Sequence, residues 1–282
     1  MTMTVVRAGP LLTVQDAGRA GLAHLGVPPS GAADRRSYAL ANALVGNEAG
    51  AACLEATLAG PALRFDPPAV VAVTGAETDA RLDGEPLPLG EAREGALLEL
   101  GRCRIGIRAY VAVAGGVDVE PVLGSRSHDL LTGLGPPPLR DGHTVPIGPH
   151  GSQGCGTPPR CPIPLGAPLG VVPGPRADWF DLDALLATTW RVSPASNRIG
   201  TRLDGPPLER LRHEELLSEG VVTGALQVPP DGQPILLGPD HPTTGGYPVV
   251  AVVCEADLPR AAQLAPGSKV QFSIVTSVPI GV

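Results

Sequence analysis

The chain has 282 residues and a formal charge of −7, and Lys269 is its only lysine. An acidic balance argues against a nucleic-acid or anionic-membrane partner, and the missing lysines exclude a Gly-x-x-x-x-Gly-Lys phosphate loop. Glycine (37) and proline (33) are dispersed between apolar runs, which reads as many short strands joined by turns rather than as disorder. Residues 1–7 lack a signal-peptide apolar core, and no apolar run is long enough to span a bilayer, so the expected compartment is the cytoplasm. The five cysteines (53, 103, 155, 161 and 254) are unclustered, as expected of reduced thiols. Cys155 and Cys161 with His150 match no metal-finger spacing, and Pro158-Pro159 intervenes, so no metal site is expected there.

In chain order, Val5-Val6 and residues 11–14 read as an opening strand or hairpin around Gly9-Pro10. The polar residues Gln15, Asp16, Arg19 and Asp34 also read as turn and cap residues. Ser30 is a candidate N-cap for a helix over about 32–45. There Tyr38, Ala41 and Val45 form one row and Leu40 and Leu44 another, before Gly46-Asn47 ends it. The apolar run 69–74 predicts a fully buried strand, Leu82-Asp83-Gly84-Glu85 a hairpin, and 96–100 and 108–113 two more strands. Ser125, Arg126, Ser127 and Asp129 then place hydroxyls, a guanidinium and a carboxylate within five positions. Arg126 can clamp a carboxylate or phosphate, or pair internally with Asp129 to stiffen the loop. His128 is suited to acid–base work near neutral pH, but it reads first as an exposed loop histidine.

Residues 151–168 are rich in glycine and proline and form a candidate linker between domains 1–150 and 169–282. Beyond it, 178–189 predicts a helix with Phe180, Leu182, Leu185 and Leu186 on its apolar face. Residues 190–192, 235–237, 249–254 and 269–275 predict strands, and 256–264 a short helix. Pro229-Pro230-Asp231-Gly232 is a strong turn signal. Thr243-Thr244-Gly245-Gly246-Tyr247-Pro248 offers two hydroxyls beside paired glycines, which allow close approach of a ligand or of another backbone. Arg198 sits in a Ser-Asn-Arg turn, where it also reads as surface structure. There is no Gly-x-Ser-x-Gly elbow and no Gly-x-Gly-x-x-Gly after a strand.

Several of these stretches together resemble one family. They are Gln15–Arg19, Gly26-Val27-Pro28, Ser30-Gly31-Ala32 with Asp34, Glu55 and Thr57, Gly115–Val119, Leu123–Ser127 with Asp129, Ser196–Leu203, Ser218-Glu219-Gly220, Gln227–Pro234 and Thr243–Pro248. They are similar to the signatures of the allophanate hydrolase subunit 2 family, also called the biotin-dependent carboxyltransferase or KipA family. The chain departs from that pattern at His128, where the family usually has threonine, and in 133–140, where prolines replace a glycine-rich segment.

The resemblance implies a mainly β (α+β) chain of two cyclophilin-like β-barrel domains with a few short helices. It implies one component of a multi-subunit, ATP-dependent 5-oxoprolinase. The partners would be a B subunit of the allophanate hydrolase subunit 1 type and an A subunit, the cofactors ATP and Mg²⁺. The alternatives are a carboxyltransferase module of a urea carboxylase or allophanate hydrolase system, and a non-catalytic KipA-like binding protein. Lys269, in Pro-Gly-Ser-Lys-Val, does not resemble a biotin-carrier lysine. Carried onto this chain, the catalytic candidates are Asp34, Asp129 and Arg126. The substrate- or ATP-binding candidates are Ser125, Asn197, Arg198, Gln227, Asp231, Gln233, Thr243, Thr244, Gly245 and Tyr247. Asp34, Asp129 or Asp231 would hold Mg²⁺ or act as base.

Overall fold

The apolar run at 69–74 becomes the strand Ala69–Glu77 beside Ile105–Val113, but it is not fully buried as expected: only Val71, Ala72 and Ala76 are buried. Such runs, cut by glycine and proline, give a mainly β chain with a few short helices. The structure is a computed structural model describing residues 1–87, 89–149 and 166–275. The chain divides into two compact units, Met1–Ala20 with Ser30–Ile163 and Gly21–Pro29 with Pro164–Val282. Most of the expected linker, with His150, Cys155 and Cys161, lies outside the described residues.

The first unit holds two antiparallel sheets. One runs in the order Thr144–Pro146, Thr2–Arg7, Ala62–Phe65, Leu97–Leu100, Ala80–Leu82, Glu85–Pro86. The other runs Leu11–Gln15, Cys53–Thr57, Ile105–Val113, Ala69–Glu77, Leu89–Ala92. The two opening strands therefore enter different sheets and do not form a hairpin. Strand side chains alternate between faces. Leu12, Val14, Leu54, Val111 and Val113 face a core shared with Val5, Phe65 and Leu98, while Cys53, Tyr110 and Ala112 point to the opposite face. The helix Arg35–Leu44 covers that second face with Tyr38 and Ala41. Its N-cap is Asp34, not Ser30: Asp34 Oδ1 accepts from Ser37 N–H at 2.9 Å. Ser30 instead adopts a φ of 51° and donates its hydroxyl to the His128 carbonyl at 3.0 Å.

The second unit is built on an eight-stranded sheet. Its order is Lys269–Val270, Trp190–Val192, Gly200–Asp204, Ile235–Leu237, Ala225–Gln227, Val249–Val253, Leu169–Pro173, Phe272–Ile274. The strand expected over 269–275 breaks at Gln271, and its halves occupy the two ends of this order. One short stretch thus brings the edges together into a nearly closed barrel around Trp190, Leu203, Leu226 and Phe272, which removes exposed edges. A separate two-stranded ribbon pairs Glu219–Gly220 with Thr244–Gly245. The helix expected over 178–189 is interrupted. A 3₁₀ turn, Ala177–Trp179, is followed by extended Phe180, and Asp181 caps a new helix, Leu182–Ala187. No helix among the described residues is long and apolar enough to cross a membrane.

Gly60 shows how tightly the first unit is packed. A Cβ there would lie 1.8 Å from the Leu100 carbonyl oxygen and 2.3 Å from Leu100 Cβ. Gly60→Ala is expected to cost about 3 kcal/mol or more by overpacking. Urea denaturation checks this, and an unchanged midpoint would contradict the packing described.

Candidate active site

Polar side chains of the first unit gather where the edge strand Leu11–Gln15 ends. Loop residues cover its open edge: His128 N–H donates to Val14 O at 3.0 Å and Leu139 N–H to Leu12 O at 2.8 Å. Asp16 organises the crossing. Its Oδ1 accepts from Ser125 Oγ and Ser127 Oγ, both at 2.6 Å, and from Gly18 N–H at 2.8 Å. Its Oδ2 accepts from Arg126 N–H at 2.5 Å. Buried Arg19 donates from Nε to Val122 O at 3.0 Å and from Nη2 to Ser127 O at 2.5 Å. Charge-assisted bonds of this kind are stronger than neutral ones, and they hold the 122–129 loop against the strand end.

His128 is 5 % exposed, so it is not the surface histidine expected. Its carbonyl accepts from Gln15 Nε2 and Ser30 Oγ, both at 3.0 Å, which draws the residue inward. Next to it, Asp129 is fully buried. Its Oδ1 accepts from Leu131 and Thr132 N–H, both at 2.8 Å, and its Oδ2 has no hydrogen-bond partner among the described residues. Of the two alternatives for Arg126, the internal pair with Asp129 does not form. Arg126 donates from Nη2 to Asp118 Oδ1 at 2.9 Å and from Nε to Val119 O at 2.7 Å. Its side chain stays 35 % exposed.

A second polar group lies on the helix-covered face of the sheet. Glu55 accepts from the Tyr110 hydroxyl at 2.8 Å and from Ala33 N–H at 3.0 Å, and Arg108 Nε lies 3.5 Å from it. The Tyr110 oxygen in turn accepts from Asp34 N–H at 2.7 Å. Burial, reinforced by the Glu55 and Asp34 carboxylates, pushes the Tyr110 phenol well above its ordinary value. Asp34 itself serves the helix, its Oδ2 accepting from the Ser37 hydroxyl at 2.6 Å.

In the second unit Arg198 is not surface structure. It is 1 % exposed and forms a bidentate pair with buried Asp240, Nε–Oδ2 2.8 Å and Nη2–Oδ1 2.9 Å. Its guanidinium is committed to that carboxylate. Asn197 Oδ1 accepts from Ile199 N–H at 2.8 Å and closes the turn before it. Asp231 accepts from Gln233 N–H at 3.0 Å, and the Gln233 amide brackets Gly205, accepting from its N–H and donating to its O, each at 3.0 Å. These bonds shape the turns, while Asn197 and Asp231 remain exposed. In the Thr243–Tyr247 loop, Thr244, Gly246 and Tyr247 are exposed. Buried Gln227 supports it from beneath, donating from Nε2 to Tyr247 O at 3.2 Å. A Cβ on Gly245 would lie 2.5 Å from that same Nε2, so a larger residue there would displace the Gln227 amide.

Asp34, Asp129 and Asp231 each bond backbone or side-chain donors of their own local turn. No group of three or more potential ligands that could hold a metal ion occurs among the described residues. Tyr110, Arg108 and Asp240 were not singled out from sequence as site residues. The partner of Arg198 lies 42 positions away, and no local spacing signals it.

The chain belongs to the family described as "Carboxyltransferase domain, subdomain A and B", matched over residues 25–274. It is similar to the 5-oxoprolinase C subunit of Escherichia coli (strain K12), with 40 % identity over 279 residues, covering 96 % of this chain and 90 % of that protein. The crystal structure of TTHA0988 matches with a TM-score of 0.88 at 36 % identity, covering 96 % of this chain and 56 % of that one. The K. lactis urea amidolyase structure matches with a TM-score of 0.87 at 31 % identity, covering 98 % of this chain and 19 % of that one.

Two substitutions test the described interactions. Arg198→Ala leaves Asp240 buried without its bidentate partner and is expected to cost about 3–5 kcal/mol. A loss below about 1 kcal/mol in chemical denaturation would contradict a committed pair. Tyr110→Phe removes the hydroxyl that joins Glu55 to Asp34 N–H and is expected to cost about 1–3 kcal/mol. Folded Tyr110 holds its proton to higher pH than the unfolded chain does. Its contribution is therefore complete below about pH 10 and lost as pH rises beyond it. The wild type should lose stability above that pH more steeply than Tyr110→Phe, and parallel curves would contradict the assignment.

Proposed function

We propose that this chain is the C subunit of a multi-subunit, ATP-dependent 5-oxoprolinase, working with its B and A subunits to open 5-oxoproline to glutamate. The observation that carries this reading is the 40 % identity to a protein named as the C subunit of 5-oxoprolinase, across nearly the whole of both chains. The chemistry asks for positioning and positive charge. A lactam carbonyl is a poor electrophile, and phosphorylating its oxygen creates a leaving group. Phosphoryl transfer is catalysed mainly by orientation and electrostatic stabilisation.

Of the basic groups considered, Arg198 is held by Asp240, whereas Arg126 remains partly exposed. Arg126 is the guanidinium suited to a substrate carboxylate or a phosphoryl oxygen, and the hydroxyls and backbone N–H groups of Thr243–Tyr247 are suited to hydrogen-bonding such oxygens. Asp129, whose buried Oδ2 has no hydrogen-bond partner among the described residues, is the carboxylate this reading assigns as general base. ATP and Mg²⁺ enter this reading at the level of the assembled enzyme, and no step is assigned to a metal on this chain. A carboxyltransferase role is the second reading, supported by the urea amidolyase match.

Mixing this chain with candidate A and B subunits should give ATP hydrolysis that depends on 5-oxoproline and yields glutamate. Arg126→Ala should lower kcat/KM by about tenfold to a hundredfold, the scale of one charge-assisted contact. A stable complex without 5-oxoproline-dependent turnover would overturn the oxoprolinase reading. Unchanged turnover in Arg126→Ala would remove that residue from the site.

A further inference from the structure

The Thr243–Tyr247 loop is gripped from two sides. Beneath it lies the Gln227 amide. Beside it, Glu219 stands opposite Gly245 in the two-stranded ribbon, and Gly220 opposite Thr244. Val221 N–H extends the contact by donating to Thr243 O at 3.1 Å. The ribbon offers few backbone bonds of its own, and the segment before it, 211–218, has no regular structure. A two-stranded ribbon this short is not stable by itself. Something else must hold the Glu219 strand in place.

That support is Arg176. Its Nη2 bonds Glu219 Oε1, and the two side chains are 29 % and 33 % exposed. Arg176 is itself fixed on both its backbone and its side chain. Its N–H donates to Val249 O at 3.0 Å, on a strand of the barrel. Its guanidinium carbon lies 5.6 Å from the Trp179 ring centroid, with Arg210 on the same ring at 4.8 Å. Cation–π contact and partial burial limit the rotamers open to Arg176, so less entropy is lost when it pairs with Glu219. Arg210 holds the irregular segment by donating to Arg212 O and Glu214 O at 2.6 and 2.7 Å. The Trp179 ring thus anchors both the segment leading into the ribbon and the arginine that pins it.

We infer that the Arg176–Glu219 pair, seated on Trp179, is a positioning clamp for the Thr243–Tyr247 loop, holding its hydroxyls and backbone N–H groups in the arrangement that receives anionic oxygens of a carboxylate or phosphoryl ligand. Arg176 and Glu219 are positioning residues and do not themselves touch ligand. The ligand part of this inference rests on the reading above; the clamp itself does not.

The test pairs two measurements. Hydrogen exchange of the chain alone reads the clamp without any assumption about function. Arg176→Ala and Glu219→Arg should accelerate exchange at Val221 and across 243–247, with exchange on the barrel strands unchanged. The reversed pair Arg176→Glu with Glu219→Arg keeps the ion pair but loses the seat on Trp179, and should restore part of the protection lost in the single variants. In the assembled enzyme, each single variant should raise KM for 5-oxoproline or ATP by about threefold to tenfold with kcat nearly unchanged, as for a partly exposed ion pair, and the reversed pair should undo part of that rise. Unchanged exchange, or singles and reversed pair alike, would overturn the clamp. Accelerated exchange with wild-type KM would overturn its positioning role. If the wild-type assembly shows no turnover, the oxoprolinase reading fails, and exchange alone decides whether the clamp stands.

Discussion

One carboxylate joins the ends of the first unit. Asp16 receives four hydrogen bonds, three from Ser125, Arg126 and Ser127, which lie about 110 positions further along the chain. A buried carboxylate without such donors would be costly. With them, it locks the 122–129 loop to the end of strand Leu11–Gln15. Everything nearby follows from that register. His128 covers the strand edge, Asp129 turns inward, and Arg126 is sent outward toward Asp118. Glycine completes the arrangement at Gly135, where φ is +86° and a Cβ would lie 2.1 Å from Ser127 O.

The second unit solves its scaffolding differently. Its sheet curls until the two short strands either side of Gln271 complete both edges, and its buried polar residues fasten the connections. Arg198 with Asp240 ties the turn before one strand to the turn after another. Gln233 brackets the Gly205 backbone and Gln227 carries the exposed loop. Buried polar groups are tolerated when satisfied in this way. The outcome is a nearly closed barrel that displays the Thr243–Tyr247 loop at its surface, as expected where binding groups are carried on a scaffold.

Much of the strand pattern was legible because it is a local property. The apolar run 69–74 forms a strand, though one only partly buried, and the Asp83-Gly84 hairpin and the Ile235-Leu236-Leu237 strand form where their residues predict them. Misreadings arose where a residue could serve two local roles. Ser30 is a good cap by type, but its hydroxyl is used by the His128 carbonyl and Asp34 caps instead. The helix expected over 178–189 gives way where Phe180 is extended and Asp181 restarts the chain as a cap. The signature stretches could be located along the chain, but the partners of their polar residues were not legible. Arg126 pairs with Asp118 rather than Asp129, and Arg198 is drawn into the interior.

The sequence by itself determined the class of structure and the family. Strand periodicity, turn residues and signature stretches are encoded in neighbouring positions, and each carries its physical reason locally. Only the tertiary structure decided which polar residues are free to act. Partner choice for Asp16, Arg198, Glu219 and His128 depends on sheet register and loop crossing, which bring together groups 42 to 113 positions apart. Burial then sets the outcome, because a charged or polar group removed from water must be matched by whichever donor or acceptor the fold places beside it.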